Sequence, residues 1–124
     1  MPRSYPYVAL AGKQLAPALR ILIQSGDKQD EEIALLDTGA NATAINAGVL
    51  ESLDLRPVGE HRVSGPIGAE SVRPFFIIDL NIAGRRYRNH PAFLSDRPYI
   101  IIGRDILNRH GIIFDGPKLN FTFK

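Results

Sequence analysis

Residues 33–42 read IALLDTGANA. Four apolar residues run straight into Asp37, and the chain then turns through Thr38 and Gly39 into small residues. An unpaired charge carried into an apolar interior is costly. The pattern therefore places Asp37 in an apolar setting and calls for something that makes a carboxylate tolerable there.

Outward from this stretch, strand signals are many and short. Residues 18–24, 31–37, 73–82, 86–94, 99–102, 111–114 and 119–123 are rich in β-branched and aromatic residues. Turn-forming stretches such as SGDKQD, SGPIGAES, IAGRR, SDRP and DGPK separate them. Two segments read as helices. Residues 41–55 place Ile45, Val49, Leu50 and Leu53 at helical spacing despite Gly48, and residues 103–111 end at Gly111, in the position of a C-cap glycine. With no linker or repeat in its 124 residues, the chain is expected to form one mainly β domain with two short helices.

Composition closes off several chemistries. The chain has no cysteine, which excludes disulfides, thiolate zinc sites and Cys nucleophiles and fits a reducing compartment. His61, His90 and His110 lack metal-ligand spacing and read as surface or loop residues, so no metal or other cofactor is expected. No G-x-S-x-G elbow, P-loop or G-x-G-x-x-G fingerprint is present. The start, MPRSYPYVALAGK, carries no apolar stretch of signal-peptide length, and no window approaches the roughly 20 apolar residues of a membrane span. The expectation is a soluble, cytoplasmic protein without a membrane partner. A formal net charge of +2 is too small to imply a polyanion, and RRYR at 85–88, following Ala83-Gly84, reads as a solvated hairpin rather than a nucleic-acid patch.

Two motifs carry the chemistry. Asp37-Thr38-Gly39 is a weak signal alone, but it ends an apolar strand and is followed by Ala40, and a second apolar run, YIIIGRD at 99–105, ends in Gly103-Arg104-Asp105. Together they resemble the retroviral-type aspartic proteases, the retropepsins, and their single-domain relatives in bacteria and eukaryotes. The resemblance covers about residues 17–124; the first 16 residues have no evident counterpart and read as an N-terminal extension of unassigned role. It implies a closed β-barrel-like fold, active as a two-fold dimer, that hydrolyses peptide bonds.

The residue types suit that reaction. Hydrolysis needs a water made nucleophilic and a proton delivered to the departing amine, and two carboxylates sharing one proton can do both. Like charges held close together titrate as a unit. One Asp37 cannot make a pair, and only one Asp-Thr-Gly is present, whereas two-lobed pepsin-like enzymes carry two. Its twin must come from a second chain across a two-fold axis, which would make the carboxylate tolerable.

The resemblance assigns further roles. Thr38 would tie the two catalytic loops together, and Gly39 would present its backbone to the substrate. Ala40 and Asn41 follow in the substrate-binding loop. Gly65, Pro66, Ile67 and Gly68 occupy the place of the flap, with Pro66 stiffening its tip. Tyr99, Ile101 and Ile67 would line the cleft and favour extended peptides with apolar or aromatic side chains. Gly103, Arg104 and Asp105 would support the catalytic loop. LNFTFK, and YPYVAL near the start, would interleave with the partner as strands.

The sequence departs from retroviral members at two places. Their Arg pairs with an Asp where this chain has Asn41, leaving Arg104 a neutral amide acceptor, and they often carry an acidic residue at the position of Ala42. Asp105 either compensates for the lost charge or favours the helix N-terminus. These departures and Pro66 sustain an alternative: a catalytically silent retropepsin-like module for dimerisation or peptide binding. A strand ending in an Asx-type turn is the purely structural reading of Asp37.

Overall fold

The structure, a computed structural model, describes residues 2–12, 14–64 and 70–124. In chain order the elements are β1 (Arg3–Pro6), β2 (Val8–Ala9), β3 (Leu15–Ala16), β4 (Ala18–Ser25), β5 (Lys28–Leu36), β6 (Ala44–Ile45), α1 (Ala47–Ser52), β7 (Gly59–Ser64), β8 (Glu70–Ile82), β9 (Arg85–Leu94), β10 (Ile100–Ile102), α2 (Arg104–Leu107), β11 (Ile112–Asp115) and β12 (Asn120–Phe123).

Alternation along β4 buries Leu19, Ile21 and Ile23 on one face, and the hairpin through Gly26 brings β5 alongside with Leu19 opposite Ala34. From β5 the sheet continues through β10, β6, β9 and β8, and β8 returns to β4 by pairing Leu80 with Ile23. Six strands thus close into a barrel, with β7 added beyond β8. Closure leaves few free edges and encloses an aliphatic core in which Ile23, Ile45, Ile100 and Ile102 are fully buried.

One pairing positions the site. β5 and β10 run parallel, with Ile100, Ile101 and Ile102 opposite Ala34, Leu35 and Leu36. Parallel neighbours end at the same edge of a sheet, so Asp37 and Gly103 emerge side by side although they lie far apart in sequence. The two motifs are joined by that register.

β9 changes phase partway along. Opposite Ile78 and Leu80 stand His90 and Tyr87, so three steps on β9 face two on β8. The extra residue is accommodated by Asn89 at φ 52, whose backbone N–H donates to Asp79 Oδ1 at 2.9 Å. The bulge turns both Tyr87 and His90 inward.

Three sequence expectations need correction. The helix expected over 41–55 is confined to 47–52, because Ala44–Ile45 is used as strand: beside it the Thr43 carbonyl accepts from Phe93 N–H and that of Ile45 from Ser95 N–H. Asn46 caps the shortened helix by accepting from Val49 N–H at 3.0 Å. The second helix ends at Leu107 with Asn108 as its C-cap, and Gly111 instead lies against Lys124, whose N–H donates to the Gly111 carbonyl. Finally, 119–124 does not present an open edge. β12 is the central strand of a sheet in the order β1–β12–β11, paired on both sides within its own chain.

Phe121, fully buried, anchors that sheet: Tyr5 stacks on it at 5.5 Å with an interplanar angle of 21°, and it packs into the main hydrophobic core. Phe121→Ala is expected to destabilise the protein by about 3–5 kcal/mol in urea unfolding, because truncation removes buried area and leaves a cavity. A loss below about 1 kcal/mol would show that the sheet is not docked on the barrel.

Candidate active site

Asp37 follows the last residue of β5, and its N–H donates to the Ile102 carbonyl at 2.9 Å, which continues the parallel ladder by one step. The chain then folds into an Asx turn. Gly39 N–H donates to Asp37 Oδ1 at 2.9 Å, and Ala40 N–H donates to the Asp37 carbonyl at 3.2 Å. Within a single chain Asp37 is only half-buried, with Thr38 and Gly39 exposed beside it. The apolar setting inferred from sequence is therefore not supplied by the chain itself. Among the described residues Asp37 makes no ion pair.

Arg104 grips this loop from α2. One arm of its guanidinium donates to the Thr38 carbonyl at 2.8 Å, the other donates to Asn41 Oδ1, and its backbone N–H donates to the Ala40 carbonyl at 2.9 Å. The fork spans the turn and holds both its ends. Asn41 acts as the neutral acceptor expected from sequence, without an ion pair.

Gly103 is required by contact. A Cβ built there would lie 2.6 Å from the Ala42 carbonyl carbon and 2.8 Å from its nitrogen. Backbone meets backbone at this point, so no side chain fits without moving the loop.

Asp105 serves neither purpose alone that its sequence suggested. It does not reach Arg104's partners; Oδ2 accepts from Thr43 N–H at 3.0 Å and from His90 Nε2 at 2.8 Å, while Oδ1 accepts from the Thr43 hydroxyl at 2.9 Å and from Ile106 N–H at 3.0 Å. The ionised carboxylate can only accept, so the proton between them sits on His90 Nε2. Thr43 is fully buried and His90 is 7% exposed. The surface or loop role expected for His90 is thus corrected: it is an interior residue tying β9 to α2 and the loop. Burial alone would raise the Asp105 pKa, but hydrogen bonds from His90 and Thr43, together with His90's charge, outweigh it and hold the group below the ordinary carboxylate value.

Beside the loop lies an open cleft of about 790 Å³. Ala42, Ala44, Phe93 and Ile101 form its apolar side, and His61, Arg62 and Arg73 of the β7–β8 hairpin face them. Ala40 and Asn41 border it; Tyr99, half-buried ahead of β10, does not line it. Gly65, Pro66, Ile67 and Gly68 lie outside the described residues. Asp105 was singled out from sequence as a support of the loop, but Phe93, Thr43 and the link from Asp105 to His90 were not. A Thr just beyond the turn and an Asp after Gly-Arg were the available signals, but the bulge that brings in His90 has no signature other than Asn89.

The sequence profile of a family described as "Aspartyl protease" matches residues 27–106, well over half of the chain. Among solved structures, the EIAV protease complexed with the inhibitor HBY-793 is 22% identical, with a TM-score of 0.56 over 82% of this chain and 93% of that one. A retropepsin-like aspartic protease from Rickettsia conorii is 12% identical, with a TM-score of 0.60 over 99% of this chain and 91% of that one. No curated protein matches. At these identities the likeness establishes the fold, which is that of the retropepsins.

Two substitutions test the support of the loop. Gly103→Ala is expected to destabilise by about 1–3 kcal/mol through overpacking, whereas Gly48→Ala, with no atom nearer than 3.5 Å to the new methyl, is expected to stabilise helix α1. Equal effects would contradict the close approach at Gly103. Because the folded pKa of Asp105 is depressed, its contribution is present above the ordinary carboxylate value and is lost as pH falls through the lower folded value. Asp105→Asn should lower stability by about 1–3 kcal/mol at neutral pH and flatten this part of the acid-unfolding profile. Superimposable profiles would overturn the assignment.

Proposed function

The chain belongs to the aspartyl protease family, and from that premise we propose that it is a homodimeric aspartic endopeptidase whose site is completed by Asp37 from each of two subunits. The observation that carries this reading is the setting of Asp37: a carboxylate at a rigidly clamped turn, half-exposed, without a cationic partner among the described residues, and beside a cleft with an apolar side. A second copy related by a two-fold axis would bring the twin carboxylate and cover the exposed Thr38 and Gly39.

The chemistry follows from two carboxyl groups sharing one proton. The ionised group takes a proton from water as the oxygen attacks the scissile carbonyl carbon, and the protonated group donates to the carbonyl oxygen. Collapse of the tetrahedral species breaks the C–N bond, and the amine leaves with a proton returned from the pair. Water supplies the nucleophile, and no cofactor enters the reaction. Substrates would be extended peptides with apolar or aromatic side chains seated against Ala42, Ala44, Phe93 and Ile101.

Cleavage of a diverse peptide library, with sedimentation of the same samples, tests the proposal. The wild type is expected to cut with an optimum on the acid side of neutrality and with specific activity rising with protein concentration as dimer forms. Asp37→Asn should abolish turnover while leaving the fold and association intact. A fully active Asp37→Asn protein would sink the mechanism, and folded dimers of both proteins that bind peptides without cutting them would favour a silent binding module.

A further inference from the structure

The β8–β9 hairpin turns through Ala83 at φ 51 and Gly84 at φ 83 and then delivers Arg85, Arg86, Tyr87 and Arg88 in succession. The segment after α2 brings Arg109 and His110 to the same place. Arg109 lies over the Tyr87 ring, 5.8 Å from its centroid, and Arg85 Nη1 donates to the Arg109 carbonyl at 3.5 Å. Tyr87 OH is hydrogen-bonded to His110 Nε2. These contacts fasten the hairpin to the α2–β11 connection and leave between them a cleft of about 440 Å³ walled by Arg85, Arg86, Arg88, Arg109 and Tyr87.

The charge there is unbalanced. Among the described residues, only Arg86 of the four arginines has a carboxylate within ion-pair distance, Asp79 at 3.8 Å. An adjoining depression adds Arg3, Lys124 and His110 beside Arg85. Burial, reinforced by Arg85, holds the His110 pKa below its ordinary value, as expected where positive potential gathers. Cations so arranged repel one another unless an anion bridges them.

We propose that this cleft binds a small phosphate-bearing anion, held by Arg85, Arg88 and Arg109. Guanidinium groups offer planar forks that match tetrahedral oxyanions, and a group with more than one negative charge can satisfy arginines arriving from two separate segments at once. A single carboxylate supplies too little charge for three. The arginines are exposed around an open cleft and come from only two short segments, and the net charge of the chain is only +2, which favours a small ligand over a nucleic acid. The site adjoins Phe123 and Lys124 at the end of β12, so occupancy would brace the hairpin against the β1–β12–β11 sheet. The proposal stands independently of the protease reading.

Calorimetric titration and thermal unfolding with inorganic phosphate and with pyrophosphate, at ionic strength held constant with NaCl, test it. Both anions are expected to bind saturably and raise the melting temperature, pyrophosphate more strongly. Arg88→Gln, which breaks no observed contact, should weaken binding about tenfold, and the Arg85→Gln/Arg109→Gln double variant should abolish it. Arg56→Gln, an exposed arginine elsewhere, should bind as the wild type does. Stabilisation that persists unchanged in Arg88→Gln and the double variant would be a general salt effect and would overturn the site. So would absence of binding to the wild type, or steeply salt-dependent binding of an oligonucleotide with no response to either small anion.

Discussion

At Gly103 the backbone of one motif lies against the backbone of the other, with less than 3 Å between a would-be methyl group and the atoms of Ala42. This contact depends on the parallel pairing of β5 with β10, which ends both strands at the same edge of the barrel. Once the two ends are adjacent, Arg104 is near enough to hold the turn at Thr38 and Asn41, and Asp105 is near enough to hold it from beneath at Thr43. A side chain at 103 would separate the loop from both. The geometry of Asp37 is therefore set less by its own neighbours in sequence than by a glycine at the junction of β10 and α2.

The Asp105 group shows how a buried polar cluster is made tolerable. Four donors converge on one carboxylate, and among the described residues no buried side-chain polar atom is left without a partner. Satisfied networks of this kind are rigid, whereas loss of one member leaves others desolvated and unpaired. Its contribution is specificity of position: three segments, the turn, α2 and β9, are fixed to a single point. The neutral contact between Arg104 and Asn41 is then enough to hold the outer side of the loop, because the inner side is already anchored.

Strands β4, β5 and β8 to β12 and both motifs were legible in the sequence because alternation and β-branched runs report burial on one face directly, whereas β7 and the two-residue strands β2, β3 and β6 gave no such signal. What could not be read is where that alternation breaks. A strict period of two along β9 puts Tyr87 and His90 on opposite faces, and only the bulge at Asn89 turns both inward. Likewise Ile45, Val49 and Leu53 fit a helical stripe and are indeed buried, but Ile45 reaches the core from a strand. Spacing identifies which residues are inside without fixing the backbone that takes them there. The burial of Asp37 was overread for a related reason: an apolar run tells where a strand is packed, not whether its last residue emerges.

The C-terminal sheet bears on how two such chains can associate. β12 has its hydrogen bonds taken by β1 and β11, so a second copy can add a strand to this sheet only at the outer edges of those two, and Ile113 and Phe114 on β11 are exposed. Strand-to-strand contact through β12 itself requires that β1 or β11 first give way. The register from Arg3 opposite Phe123 to Pro6 opposite Asn120 can be made equally well between chains, since the same groups pair in either case. Exchange of β1 between two copies would conserve those hydrogen bonds and the stacking of Tyr5 on Phe121, leaving the entropy of association as its main cost. Interleaving of termini is thus compatible with this sheet only as a swap, and the separated chain already contains both halves of the contact.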